Sequence, residues 1–185
     1  MNNINLYLSN LKKNLTYNKI KKVNILVREI YEIWRLKRKI FICGNGGSAA
    51  NAIHIANDFS YGVGVSNGIR IDVEALPSNQ SVITCLANDI GYENIFSEQI
   101  MVKGKSNDLL LIFSGSGNSN NLVKAIEAAK KKHMKIYGII GFDGGKVKKL
   151  IKKNCLHFPV DDMQISEDLQ LITMHICMQI ISKKN

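Results

Sequence analysis

The feature that most constrains this chain is an abrupt change of pattern at residues 113–120. The apolar run Leu109-Leu110-Leu111-Ile112 ends in FSGSGNSN, and Leu122, Val123, Ala125 and Ile126 follow at helical spacing. A buried strand that opens through Ser and Gly into a helix gathers free backbone N–H groups, small hydroxyls and the positive helix terminus at one point. Such a point suits a phosphate. The same residues also make an ordinary tight turn with an N-cap, so the octapeptide alone leaves both readings open. A second junction lies upstream, where Lys39 to Cys43 reads as a short buried strand and GNGGSA turns it into a helix from about Ser48 to Tyr61.

Further strands are expected at 69–75, 108–113, 135–141 and 154–159, and helices at 78–87, 91–103, 118–133, 145–152 and 163–182. Two amphipathic helices, 4–15 and 17–37, come first, the second striped by Ile20, Val23, Val27, Ile30 and Trp34. Alternating strands and helices indicate an α/β fold with a parallel sheet covered on both faces, whose ligands collect outside the carboxyl ends of the strands. The 185 residues, 45% hydrophobic, fit one domain, since a chain of this size buries roughly 70% of its unfolded surface. Residues 1–38 read as an oligomerisation or packing element of that domain, and 39–185 as its core.

No apolar stretch is long enough to span a membrane and MNNINLYLSNLKKN does not resemble an export signal, so a cytoplasmic protein without a membrane partner is expected. Cys43, Cys85, Cys155 and Cys177 have apolar neighbours and no paired spacing, and are expected as buried thiols. The net charge of +10 raises nucleic acid as a partner, but residues 1–40 and 121–160 each carry ten Lys or Arg against two acids, as runs on expected helix faces. Aromatic residues for base stacking are not interleaved with them, so nucleic-acid binding is not the expected function.

Gly44, Gly46 and Ala49 satisfy the dinucleotide pattern G-x-G-x-x-A, but only Asp72 loosely fits the acid expected at the ribose. Neither junction carries a Walker lysine. His54 and Asp58, four residues apart, share a helix face, while Glu167 and His175, eight apart, lie about 80° apart around a helix and about 12 Å apart along it. One metal touches both only if the side chains lean together or come from different subunits. The nitrogen and oxygen donors suit zinc or a similar ion; taken singly they read equally as a helix-surface pair and a core histidine.

The segments CGNGGSAANAIHIANDFS, LANDIGYENIFSEQ and LLLIFSGSGNSNNLVKAIEAAKKKHMKIYGIIGFDGGKV, with the final ED-x-Q-x-x-x-x-H helix, resemble the SIS sugar-phosphate-binding family. Within it the chain is similar to the phosphoheptose isomerases over almost its whole length. The resemblance implies a single SIS-type parallel-sheet sandwich flanked by helices, assembled as a homotetramer with interfacial active sites. It implies interconversion of sedoheptulose 7-phosphate and D-glycero-D-manno-heptose 7-phosphate through an enediol, supplying heptose for lipopolysaccharide, capsule or related surface glycans. By position it assigns Ser114, Gly115, Ser116 and Ser119 to the phosphate, Asn45, Gly46 and Gly47 to the sugar, and Ser48 to the substrate or its phosphate. Asn88, Asp89 and Glu167 would also touch substrate. One zinc per subunit would sit at His54, Asp58, Glu167 and His175, with Asp58 as base and His175 as acid.

Two residues depart from the family pattern, which has Glu where this chain has Asp58 and Gln where it has Glu167. A lost methylene moves the base by about 1 Å, which costs on the order of 100-fold in rate unless the backbone compensates. The alternatives are a non-catalytic SIS protein that binds a sugar phosphate or a replication initiator, and an isomerase of another ketose phosphate. The presence of both Asp58 and His175 favours an enzyme.

Overall fold

The computed structural model of the protein describes residues 3–62 and 69–183. Five strands, β1 (Ile40–Cys43), β2 (Val73–Ala75), β3 (Leu109–Ser114), β4 (Lys135–Ile140) and β5 (Cys155–His157), form one sheet in the order β2-β1-β3-β4-β5, with every pairing parallel. The helices are α1 (Asn3–Asn14), α2 (Tyr17–Ile20), α3 (Val23–Arg35), α4 (Gly47–Asn57), α5 (Gln80–Ile90), α6 (Ser97–Lys103), α7 (Asn120–Lys131), α8 (Gly145–Ile151) and α9 (Met163–Ser182).

Strand side chains alternate between two apolar layers. Ile40, Ile42, Leu109, Leu111, Phe113 and Ile139 pack with α3, α4 and α9, whereas Phe41, Cys43, Leu110, Ile112 and Ile140 pack with α6, α7 and α8. Burial on both faces explains why these strands read as continuous apolar runs, and it confirms the covered parallel sheet.

Several elements are shorter or more broken than the sequence pattern suggests. The expected helix 17–37 is interrupted at Lys21-Lys22, where i→i−3 bonds such as Lys22 N–H to Lys19 O (3.2 Å) tighten the turn and separate α2 from α3. The expected strand 69–75 pairs only over Val73–Ala75; upstream, Ile71 N–H instead donates to Phe59 O. Helix 91–103 breaks because Gly91 takes φ +93 and a 3-10 turn, Tyr92–Asn94, precedes α6. Cys43 and Cys177 are buried as expected, but Cys85 is exposed and Cys155 half-exposed. Cys85 lies on α5, which has no buried residue, so an apolar-looking sequence does not bury it.

The strand order decides where a ligand can sit. Order 2-1-3-4-5 reverses direction between β1 and β3, and at such a switch point the two following loops diverge and leave a crevice at the carboxyl edge. Both glycine-rich junctions lie there.

Candidate active site

The loop after β3 is fixed by its own side chains. Ser114 Oγ accepts from Gly117 N–H (2.9 Å) and Ser116 Oγ from Asn118 N–H (3.3 Å). As acceptors, both hydroxyls keep their protons for a ligand. Ser119 is the N-cap of α7 but makes no side-chain capping bond, and it faces the same space. The loop is braced from behind: Val147 N–H donates to Gly117 O (2.9 Å) and Lys146 N–H to Asn118 Oδ1 (3.1 Å).

The first junction faces it across the crevice. Asn45 and Asn121 exchange reciprocal amide bonds of 3.0 and 2.9 Å, and Tyr92 Oη–H donates to Asn45 Oδ1 at 3.0 Å. The buried Ser48 hydroxyl accepts from Gln170 Nε2 (3.0 Å), and Asn51 Nδ2 donates both to Gln170 Oε1 and to Glu167 O. Between the junctions lies a cavity of about 80 Å³ lined by Asn45, Ser48, Ser114, Gly115, Ser116 and Ser119, with Phe113 and Met163 as its apolar wall. Hydroxyls, a helix N-terminus and a small apolar wall suit a phosphate group rather than a bulky ligand.

The buried amides also set α4 and α9 side by side in the same direction, Ser48 beside Gln170 and His54 beside His175. His54 Nε2 lies 3.2 Å from His175 Nε2 and 3.5 Å from Asp58 Oδ2, and His175 Nε2 lies 3.9 Å from that same oxygen. A triangle with these sides has a circumscribed radius of about 2.1 Å, the length of a Zn–N or Zn–O bond, so one divalent ion fits all three atoms. Asp58 opens a π-helical turn, Asp58–Gly62, a widening that often marks functional sites. The two histidines are about half exposed, leaving the face open to a substrate or to another chain.

The remaining expected residues fall apart from this triad. Among the described residues the group of metal-type donors here comprises His54, Asp58 and His175, without Glu167. Two turns earlier on α9, Glu167 packs its carboxylate over Gly47, where a Cβ would meet its Oε2 at 2.2 Å. Within one protomer Glu167 is therefore a substrate-side candidate beside Gly46 and Gly47 rather than a fourth donor. Asn88 and Asp89 end α5, where Asn88 Nδ2 donates to Asp89 Oδ1 (2.8 Å) and Cys85 lies 3.4 Å from Oδ2. They do not line the cavity. Those bonds, Asn88's first, hold the Asp89 carboxyl below its usual range.

Comparison with known proteins decides the family. The SIS domain model matches residues 4–141, and the chain is 35% identical over 174 residues to the phosphoheptose isomerase of Clostridium acetobutylicum, spanning 89% of this chain and 83% of that one. The chain belongs to the phosphoheptose isomerase family. Phosphoheptose isomerase GmhA from Neisseria gonorrhoeae superposes with a TM-score of 0.78 at 28% identity, covering 95% of this chain and 90% of that chain. A phosphoheptose isomerase from Francisella tularensis shares the fold at a TM-score of 0.87 and 24% identity, over 98% and 97% of the two chains. The protein is thus an isomerase of the sugar-phosphate-binding SIS type, and its serine loop, glycine junction and histidine-carboxylate triad lie on the fold of that family.

Sequence reasoning missed four residues that build the site: Asn121, Tyr92, Asn51 and Gln170. Asn121 had a usable signal, a polar residue on the inner face of a helix that follows a ligand loop. The others depend on contacts across more than 40 residues of sequence.

Proposed function

We infer that this protein interconverts sedoheptulose 7-phosphate and D-glycero-D-manno-heptose 7-phosphate. The observation that carries the reading is the convergence of His54, Asp58 and His175 from two helices that also border the serine-lined cavity. Ser48 and His54 lie six residues apart on α4, about 9 Å along the axis, comparable with the carbonyl-to-phosphate span of an extended ketose phosphate.

In this reading Ser114, Ser116, Ser119 and the free N–H groups at the start of α7 hold the phosphate and fix the register of the carbon chain. Asp58 takes a proton from C1, the carbon beside the carbonyl, and His175 delivers one to the C2 oxygen, giving an enediol; Asp58 then returns its proton to C2 while His175 takes the proton of the C1 hydroxyl, which leaves the aldose. Glu167, above Gly47, and Asn88 with Asp89 contribute contacts to the sugar hydroxyls. The donor set fits zinc, one ion per subunit that would be held through His54 Nε2, Asp58 Oδ2 and His175 Nε2, leaving Asp58 Oδ1 and His175 Nδ1 to exchange protons; it would supply charge that polarises the carbonyl and orients the hydroxyls.

A homotetramer with sites between subunits is part of the proposal. It is supported by α5, whose apolar residues Val82, Ile83, Leu86 and Ala87 are only half-buried and whose Ile90 is exposed beside Asn88 and Asp89, and by Ile53, Tyr61 and Met163, exposed large apolar residues around the triad and the cavity. Among the described residues no helix is long and apolar enough to cross a membrane, which is consistent with the proposed cytoplasmic site of action in surface-glycan heptose synthesis.

The deciding experiment incubates the purified protein with sedoheptulose 7-phosphate, with and without zinc, and follows the aldose phosphate. Turnover of a shorter ketose phosphate in preference would reassign the substrate. Binding without turnover of any five- to seven-carbon ketose phosphate would leave a non-catalytic sugar-phosphate module.

A further inference from the structure

The opposite edge of the sheet carries a cluster that the isomerase site does not use. The chain enters β1 and β2 there, at the amino ends of the strands. Trp34, Arg35, Lys37 and Arg38, from the end of α3, meet Arg70 and Asp72 around a cavity of about 580 Å³. That volume lies within the range of small-molecule sites, about 300–1,000 Å³.

Four cations face this space, and among the described residues none forms an ion pair with a carboxylate. The nearby acids are taken. Asp72 pairs with Lys39 at 3.4 Å, and Glu32, which feels Arg35, is bound by Lys135. Cations at a helix C-terminus complement the helix dipole, and this accounts for Arg35. It does not account for Arg38, past the cap, or for Arg70, which arrives from a segment more than 30 residues away. Lys37 adds a second point: it occupies the left-handed region at φ 51, where the end of a helix favours glycine, yet the chain keeps a long cation there. Four cations without an ion pair among the described residues repel one another, and a bound polyanion relieves that repulsion.

The fifth feature is a flat apolar wall. Trp34 is half-buried against the core and its ring leans on Tyr31, with centroids 5.3 Å apart, so the indole is held in place and needs little ordering to receive a stacked ring. We propose that this pocket is a second ligand site that binds a nucleoside polyphosphate, its base on Trp34 and its phosphates between Arg35, Lys37, Arg38 and Arg70. Asp72, at the rim, is held by Lys39 through Oδ1, which leaves Oδ2 to accept from ribose or base.

Trp34 is the only tryptophan of the chain, so its fluorescence reports on this pocket alone. The experiment titrates the full-length protein with ATP, GTP and UTP, corrected for nucleotide absorbance, and with inorganic tripolyphosphate and a single-stranded oligonucleotide as comparators. The expected result is saturable quenching by at least one nucleotide that persists in saturating sedoheptulose 7-phosphate. Arg38→Ala and Arg70→Ala should each weaken it by about tenfold or more, as loss of a charge-assisted bond implies, while isomerase turnover and melting temperature stay unchanged. The proposal is overturned by no saturable quenching, by equal affinity for tripolyphosphate, by tighter binding of the oligonucleotide, or by arginine variants that bind as the parent does.

Discussion

Gly117→Ala tests whether the phosphate loop is held by the interlock described for it. Gly117 has φ +67, and a Cβ there would lie 2.1 Å from Gly144 O and 2.6 Å from Gly144 C. Both are backbone atoms, so no side chain can rotate away. The left-handed conformation costs a non-glycine residue about 1–2 kcal/mol. A carbon–oxygen contact needs about 3.3 Å, so the loop after β3 and the loop at Gly144 must separate by about 1 Å. That separation breaks or stretches the bonds from Val147 N–H to Gly117 O and from Lys146 N–H to Asn118 Oδ1, each worth about 1 kcal/mol. The total of about 3–4 kcal/mol corresponds to a fall of about 10 °C in Tm for a chain of this size. Hydrogen bonds to a charged group contribute about 1.5–3 kcal/mol each, so misaligning one donor should raise KM by about 10- to 100-fold. Because the phosphate is bound alike in ground and transition states, kcat should change far less. Thermal melts and steady-state kinetics on the ketose phosphate make the measurement. A variant that melts within about 2 °C of the parent with unchanged KM would refute the interlock.

His175→Gln should abolish turnover and lower the metal retained after gel filtration, measured by elemental analysis, while leaving the melt and the oligomer in place. Burial alone would raise the pKa of Glu74, but hydrogen bonds from Lys103 and Lys39 outweigh it and hold the group below its ordinary 4.5. The contribution is therefore present above pH 4.5 and lost as the pH falls through the lower folded value, so urea midpoints for Glu74→Gln should show a shallower acid limb than the parent. Tyr7 Oη–H donates to Asp168 Oδ2 at 2.6 Å, and that bond, with burial and the Asp168 charge, pushes its pKa from 10.0 up to about 12. The stabilisation is present below pH 10.0 and lost as the pH rises toward 12; Tyr7→Phe should remove this alkaline sensitivity and reduce hydrogen-exchange protection in α1. Cys85 should react with a maleimide well before Cys43 and Cys177, and Asp89→Asn should speed it, because the bond to Asp89 raises the Cys85 thiol pKa.

The parts of the site legible in the sequence are those set by neighbours along the chain. Ser and Gly at the ends of apolar runs announce both junctions, because only small residues let a strand open into a helix with its N–H groups exposed. His54 and Asp58 are legible as an i,i+4 pair. Which residue of α9 joins them is not, since that depends on how two helices distant in sequence are registered. The register comes from Ser48, Asn51 and Gln170, polar residues whose buried amide network looks, in sequence, like ordinary helix surface. It brings His175 to His54 and leaves Glu167 at Gly47. The same register bears on the shortened acid. From sequence the missing methylene at position 58 threatened to withdraw the carboxylate by about 1 Å. In the folded protein Asp58 stands at the start of the π-turn, and its oxygen closes a triangle that already has metal-bond dimensions. A glutamate there would overshoot that triangle unless the turn rewound, so the aspartate and the widened turn belong together, and neither can be judged from the substitution alone.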